Sequence, residues 1–173
     1  EMCVSDTAHL DRQPLQLENI FIFEQKTSIL IIGPENAGKT SILHRLDIGK
    51  IGSTFQHNQL VETLTYKNLT LMNFDLTDEF HPNCACDKVI VVFDATDKDA
   101  FDGASIKLAE TLLKIKYVLI FLHKADKGQI KLTDQIVKKQ LNLENREDQI
   151  KIIASDLGGT GLQSGFQWIT QQK

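Results

Sequence analysis

The chain has few cysteines, few prolines and no long apolar run. Only three of its 173 residues are cysteine and three are proline. So low and odd a cysteine count argues against a disulfide scaffold and favours free thiols in a reducing, cytoplasmic compartment. No apolar run approaches the ~18 residues that a transmembrane helix needs. The first residues are also too polar for a secretory signal peptide.

Positive charge is scarce as well. The net charge is −4, which argues against non-specific binding to nucleic acid or to an anionic membrane. The patterns for myristoylation and prenylation are absent, so we expect no direct lipid anchor. Association with an organelle or a cilium would then need a protein partner.

One stretch of the chain carries a complete phosphate-loop pattern. It reads Gly33-Pro34-Glu35-Asn36-Ala37-Gly38-Lys39-Thr40 and matches G-x-x-x-x-G-K-[ST]. An apolar run at residues 29–32 enters it as a buried strand would, and apolar residues follow it at helical spacing. Glycines at the ends of the loop let backbone N–H groups point inward at one anion, and the following helix adds its positive dipole end.

The loop therefore predicts a set of phosphate-binding residues. Lys39 is expected to reach the β- and γ-phosphates, and the Thr40 hydroxyl is expected to bind Mg²⁺. The predicted phosphate-binding residues are Gly33, Glu35, Asn36, Ala37, Gly38, Lys39, Thr40 and Ser41.

Strand and helix patterns alternate along the rest of the chain. This alternation predicts an α/β domain over residues 26–173, with residues 1–25 as a lead-in segment. Residues 49–59 look irregular. The predicted strands are 60–66, 69–74, 88–93, 117–122 and 150–153, and the predicted helices are 100–114, 132–141 and 162–170. On the helix 100–114, the residues expected on or near the inner face are Ile106, Leu108, Leu112, Leu113 and Ile115.

A second binding motif, His123-Lys124-Ala125-Asp126, directly follows a buried strand. The Asp126 carboxylate can accept two N–H bonds from guanine, and adenine offers no such pair, so this residue predicts the choice of base. The Lys124 stem can lie along the base ring.

With both motifs in place, the chain resembles a divergent small GTP-binding protein of the Arf and Arf-like family, within the Ras-like superfamily. The similarity runs from about residue 29 to the end of the chain. It is carried by the phosphate loop, by Glu62-Thr63-Leu64 and by Phe74-Asp75. The segment Gly159-Thr160-Gly161-Leu162, followed by Trp168, resembles the family's last loop and helix.

The resemblance implies a six-stranded, mostly parallel sheet with about five helices. It implies GTP or GDP as ligand and Mg²⁺ as metal, held by Thr40 and Asp75. It places Ala154 and Ser155 near the guanine carbonyl, beside His123, Lys124 and Asp126. It also implies that the protein acts through protein partners.

The departures from the family pattern fall where hydrolysis and switching occur. Asp78 replaces a glycine that meets the γ-phosphate, and Glu79 replaces the glutamine that orients the attacking water. Gln56 stands where the family has a threonine that closes on the metal, with Thr54 two residues away. The segment 75–94 is too short for the usual second-switch helix, and His123 replaces an asparagine. No confident catalytic residue is therefore assigned.

Several functions stay open at this point. The sequence favours a nucleotide-holding adaptor or assembly subunit with slow or absent GTP hydrolysis. A regulated GTPase switch in trafficking or ciliary transport is an alternative, as is a structural subunit of a large complex with trapped or no nucleotide. An adenine-specific kinase is disfavoured by Asp126. A zinc site at His81, Cys84 and Cys86 lacks a fourth ligand, so we expect those cysteines to pack as small apolar groups.

Overall fold

One sheet of seven strands runs through the part of the chain that the computed structural model describes, residues 25–56, 59–76 and 86–173. The strands are β1 (Thr27–Gly33), β2 (Lys50–Gln56), β3 (Gln59–Tyr66), β4 (Leu69–Asp75), β5 (Lys88–Asp94), β6 (Tyr117–His123) and β7 (Ile150–Ala154). Their order in the sheet is β2-β3-β4-β1-β5-β6-β7. The pairs from β4 to β7 are parallel, whereas β2 and β3 pair antiparallel with their neighbours.

The sheet has one strand more than the six that the family resemblance implied. The added strand is β2, at the edge, inside the segment 49–59 that the sequence analysis took as irregular. Its backbone pairs with β3 from Lys50 opposite Thr65 to Gln56 opposite Gln59. An edge strand needs no continuous apolar face, so its polar composition concealed it.

Four α-helices flank the sheet in the described residues. They are α1 (Lys39–Arg45), α2 (Lys98–Leu113), α3 (Asp134–Gln140) and α4 (Leu162–Gln171), and a short 3₁₀ turn covers Glu147–Gln149. About five helices were expected. The sequence analysis expected no second-switch helix in the segment 75–94, and residues 77–85 of that segment lie outside the described part. Among the described helices, none is both long and apolar enough to span a bilayer.

The central strands are buried on both faces, as their continuous apolar runs predicted. On β1, Leu30 and Ile32 face the layer that contains α2 and α3. Ile29 and Ile31 face the layer that contains α1 and α4. Packing on both faces holds the carboxyl ends of β1 and β6 in place, and the two sequence motifs begin at these ends.

The inner face of α2 differs from the expectation. Leu108 and Leu112 are buried as predicted, but Ile106 is 81% exposed and Leu113 is 51% exposed. The helix begins at Lys98, capped by Asp97, which accepts a hydrogen bond from the Ala100 N–H at 3.0 Å. The buried face of α2 consists of Phe101, Ala104, Ser105, Leu108 and Leu112. Ile106 lies outside this face and points to solvent.

Candidate functional site

The phosphate loop connects β1 to α1 at the carboxyl edge of the sheet. A Cβ on Gly33 would lie 2.2 Å from the Val92 carbonyl oxygen, so the backbone of β5 requires glycine there. Gly38 has φ +103°, and a Cβ on it would lie 2.3 Å from His123 Cδ2. Both glycines of the motif are therefore required by the packing of the loop against neighbouring strands.

Lys39 is buried, with only 4% of its surface exposed. Its ammonium group donates to the carbonyl oxygens of Gly33 at 3.0 Å and Pro34 at 2.6 Å, and lies 2.5 Å from Asp75 Oδ1. Burial lowers the pKa of Lys39 below its ordinary value of 10.5, although Asp75, Glu35 and Glu62 oppose the shift. Oxygen atoms thus surround the one ammonium group that the motif supplies.

The Thr40 hydroxyl sits in a small hydrogen-bond network. It donates to Glu62 Oε2 at 2.6 Å and accepts from Asn73 Nδ2 at 3.2 Å. Asn73 Nδ2 also donates to Glu62 Oε2 at 2.9 Å. A hydroxyl has one proton and two lone pairs, so one lone pair of Thr40 remains for a metal ion.

These groups line one cavity of about 350 Å³. It brings together most of the predicted phosphate and metal residues with Lys124 from the second motif. The lining residues are Glu35, Asn36, Gly38, Lys39, Thr40, Ser41, Asp75 and Lys124. Two predicted residues do not line this cavity. The Gly33 carbonyl accepts a hydrogen bond from the Lys39 ammonium group, and Ala37 is buried.

The second motif begins at His123, which is the last residue of β6 and not the first residue after the strand, as the sequence analysis had it. Lys124 has φ +59°, and its ammonium group donates to the Asn36 carbonyl at 2.6 Å and to Asp94 Oδ2 at 2.7 Å. Burial raises the pKa of Asp94, but hydrogen bonds from Lys124 and Thr96 outweigh it and hold the pKa below its usual 3.8. We call residues 124–126 the base loop. Lys124 therefore ties the base loop to the phosphate loop. Asp126 is exposed on the same loop.

His123 and Ser155 pair behind the base loop. The His123 ring is 1% exposed, and its Nδ1 lies 2.9 Å from Ser155 Oγ. The Ala125 N–H donates to the Ser155 carbonyl at 3.0 Å, which joins this loop to the end of β7. Ala154 is exposed at that strand end. The structure thus brings Ser155 to the base loop, as the resemblance implied.

A second cavity of about 340 Å³ lies beside the first. Ser41 lines both cavities, and His123, Arg45 and Asp156 line the second. The two spaces together run from Lys39 to the loop after β7. Lys124 lines the first cavity and His123 the second, whereas Asp126 lines neither.

Comparison with known proteins agrees with this geometry. A sequence model of the ADP-ribosylation factor family matches residues 15–173. ADP-ribosylation factor-like protein 1 from Saccharomyces cerevisiae is 38% identical over 156 residues, covering 82% of this chain and 84% of that protein. ADP-ribosylation factor J from Dictyostelium discoideum is 32% identical over 168 residues, covering 87% and 89%. ADP-ribosylation factor 3 from Arabidopsis thaliana is 32% identical over 162 residues, covering 84% and 87%.

The chain belongs to the ADP-ribosylation factor family. The predicted family and the Ras-like phosphate-loop fold class are thereby confirmed. Proteins of the family bind guanine nucleotide, generally with Mg²⁺, and act through protein partners. The matched region begins at residue 15, within the segment 1–25 that the sequence analysis treated as a lead-in.

The residues present fit the family's ligands. Lys39 offers a buried ammonium group at the phosphate end, and Thr40 retains a lone pair. Asp75 is half-exposed beside them, so its carboxylate can accept a divalent cation as a hard oxygen ligand. A bound Mg²⁺ would supply charge neutralisation between the phosphates.

Other predicted positions fall outside the described residues. They are Asp78, Glu79, His81 and Cys84, together with the side chain of Gln56. Cys86 is half-buried and packs against the core, as expected of a small apolar side chain. Within the described ranges, no group of three or more histidine, cysteine or acidic residues could hold a metal ion.

Sequence reasoning missed three polar residues that shape the site. Glu62 and Asn73 hold the Thr40 hydroxyl, and Asp94 holds Lys124. Asp94 carried a usable signal, since it ends a buried strand at the same edge as Asp75 does. Glu62 and Asn73 carried none, because they meet through the register of β3 and β4.

Proposed function

We propose that this protein holds a guanine nucleotide with Mg²⁺, hydrolyses GTP slowly or not at all, and acts through protein contacts as an adaptor or assembly subunit. The observation that supports binding is the cavity around Lys39. There a buried ammonium group, a hydroxyl with a spare lone pair and a carboxylate face one space. Family membership supports guanine as the base.

The proposal of slow hydrolysis is supported by two sequence positions. Glu79 stands at the position of the family's water-orienting glutamine, and an ionised carboxylate near the γ-phosphate is a poor substitute. Asp78 replaces the glycine that meets the γ-phosphate. A carboxylate there would repel another anion at close range. Both positions lie outside the phosphate loop, which keeps its Lys39 and Thr40.

Protein partners are supported by family membership and by apolar side chains on the edge hairpin. Leu60 on β3 is 63% exposed and Ile51 on β2 is 39% exposed. Ile51 lies opposite Leu64, four residues along β3 from Leu60, so the two exposed side chains offer separate apolar points of contact on the hairpin. The net charge of −4 disfavours nucleic acid as the partner. The low cysteine count supports a cytoplasmic, reducing location, where a partner could recruit the protein to an organelle.

Single-turnover hydrolysis of GTP tests the proposal. The wild-type protein is expected to retain its bound GTP far longer than an ordinary family member does under the same conditions. Glu79→Gln restores the family's amide and is expected to raise the rate. Glu110→Gln is a matched control on the exposed side of α2, across the sheet from α1, and should leave the rate unchanged. A wild-type rate equal to that of ordinary members would contradict the proposal.

A regulated switch is the second candidate, and one observation favours it. The Thr40 hydroxyl is held by Glu62 and Asn73, which lie on the β3–β4 hairpin next to the edge strand β2. A partner that moves the hairpin would therefore change the metal site. Hydrogen exchange in β2 and β3, compared between GDP and a non-hydrolysable GTP analogue, separates the candidates. Equal protection favours the adaptor, and a large difference favours the switch.

A further inference from the structure

One imidazole joins three segments of the candidate site. His123 ends β6, and its Nδ1 lies 2.9 Å from the hydroxyl of Ser155, beyond β7. The opposite side of the ring rests on the phosphate loop, since a Cβ on Gly38 would lie 2.3 Å from Cδ2 and 3.0 Å from Nε2. The ring therefore spaces the base loop from the phosphate loop.

The second ring nitrogen of His123 is buried with no hydrogen-bond partner among the described residues. His123 also lines the cavity of about 340 Å³ that Ser41 links to the phosphate end. A buried polar atom without a partner costs free energy unless a ligand or a water molecule completes it. His123 is not among the residues that line the cavity at the phosphate end.

Charges of both signs face the ring. Lys124 lies on the same loop, and His44 and Arg45 of α1 line the same cavity. The carboxylates that act on the ring are Asp94 at the end of β5, Asp126 on the base loop and Asp156 after β7. Burial, followed by Lys124, lowers the pKa of His123 below 6.5, and the three carboxylates only partly oppose the shift.

The lowered pKa of His123 makes the stability of the fold depend on pH. A histidine whose pKa is lower in the folded state than in the unfolded state stabilises the fold above the unfolded value. That stability is lost as the pH falls from 6.5 toward the lowered value. A ligand that fills the cavity excludes water from the ring, which disfavours protonation, whereas the negative charge of its phosphates favours protonation. Retention of the ligand falls at low pH where the exclusion of water is the larger effect.

We propose that His123 makes retention of the nucleotide depend on pH, because only the neutral imidazole can stay packed between Gly38 and Ser155. This proposal rests on nucleotide binding as the proposed function. Protonation makes both ring nitrogens donors and puts a positive charge near Lys124, while Nε2 has no acceptor among the described residues. The ring must then leave its place, the base loop separates from the phosphate loop, and nucleotide dissociates faster.

Dissociation of a fluorescent GDP analogue, measured at fixed Mg²⁺ between about pH 8 and about pH 5.5, tests the proposal. The wild-type rate is expected to rise about tenfold over this range. His123→Asn keeps a polar side chain that cannot titrate, and its profile should be flat. Glu110→Gln removes an exposed carboxylate from α2, across the sheet from α1, and should keep the wild-type profile.

Three results would overturn the proposal: a flat wild-type profile, a wild-type profile in His123→Asn, or loss of the profile in Glu110→Gln. In each of these cases the protein still binds nucleotide, so only the pH dependence fails. If the wild-type protein binds no guanine nucleotide at any pH, the proposed function fails as well. Should His123→Asn fold poorly, nitrogen NMR of the wild-type imidazole replaces it. His123 is expected to titrate at a lower pH with GDP bound than without, and equal midpoints would refute the proposal.

Discussion

The hydroxyl of Thr40 donates a hydrogen bond to the carboxylate of Glu62 at 2.6 Å, across 22 residues of sequence. Thr40 belongs to the phosphate loop and Glu62 to β3, so the bond links the predicted metal ligand to the edge of the sheet. Asn73, which lies opposite Glu62 on β4, donates to both. The hydroxyl proton is thereby directed away from the remaining lone pair.

The charge of Glu62 is expected to assist the metal. Glu62→Gln keeps an acceptor for Thr40 but removes the nearby negative charge, so Mg²⁺ should bind the nucleotide complex about fivefold more weakly. The measurement is the GDP dissociation rate as a function of Mg²⁺ concentration. With the metal chelated, the variant and the wild type should release GDP at the same rate. A variant with unchanged Mg²⁺ dependence would show that Glu62 has no part in the metal site.

Lys39 is expected to carry the affinity for phosphates with little effect on folding. Lys39→Met keeps the length of the side chain but removes its ammonium group, and GDP affinity should fall by about 100-fold or more. Asp75 loses its partner, but it is half-exposed and can be hydrated, so the melting temperature of the free protein should not fall.

Lys98→Met is the matched control for that experiment. Lys98 pairs with Asp102 on the surface of α2 at 2.6 Å, and such a pair contributes little. Calorimetric titration with GDP should give the wild-type affinity. An equal loss of affinity in both variants would mean that general positive charge, and not the position of Lys39, holds the phosphates.

Gly38→Ala tests the contact between the phosphate loop and His123. The new Cβ would lie 2.3 Å from the imidazole, at a φ of +103° that other residues avoid. We expect a loss of about 1–3 kcal/mol in the free energy of unfolding. GDP affinity should also fall by about tenfold or more, since displacing the ring disturbs both loops.

Gly103→Ala is the matched control, and we expect it to raise the free energy of unfolding where Gly38→Ala lowers it. A Cβ at this helical position would meet no atom within 4 Å. Alanine should therefore stabilise α2 by about 0.5–1 kcal/mol and leave GDP binding unchanged. Chemical denaturation of both variants measures the pair. A stable, fully binding Gly38→Ala would show that the loop tolerates a side chain.

Local motifs allowed most of the site to be predicted. Gly33, Gly38, Lys39 and Thr40 are adjacent in sequence, and the turn that holds them is local, so the pattern specified the cavity. The buried strands were also predictable, since apolar runs report burial directly. The base loop was found because it follows such a strand at His123.

The remaining features depend on pairing between distant strands. Whether Glu62 meets Asn73 is decided by the register of β3 on β4, which no short pattern encodes. Strand β2 was missed because its pairing with β3 is made by the backbone. The exposure of Ile106 was missed because its apolar character was taken as a sign of burial, although it lies two residues, about 200° around the helix, from the buried Leu108.

Base selection is expected to depend on Asp126. Asp126→Asn replaces one acceptor with a donor, so the paired N–H groups of guanine lose a partner and GDP affinity should fall by about 100-fold or more. Xanthine carries a carbonyl in place of the exocyclic amine, and its diphosphate should bind the variant better than GDP does. Competition between the two diphosphates measures the change. Unaltered preference for GDP would remove Asp126 from the base site.

Calorimetric titration of nucleotide-free protein with GDP and with ADP, in the presence of Mg²⁺, measures nucleotide binding and base selection together. One site per chain should bind GDP at least about 100-fold more tightly than ADP. Absence of GDP binding to folded protein, or equal affinity for the two diphosphates, would contradict that expectation.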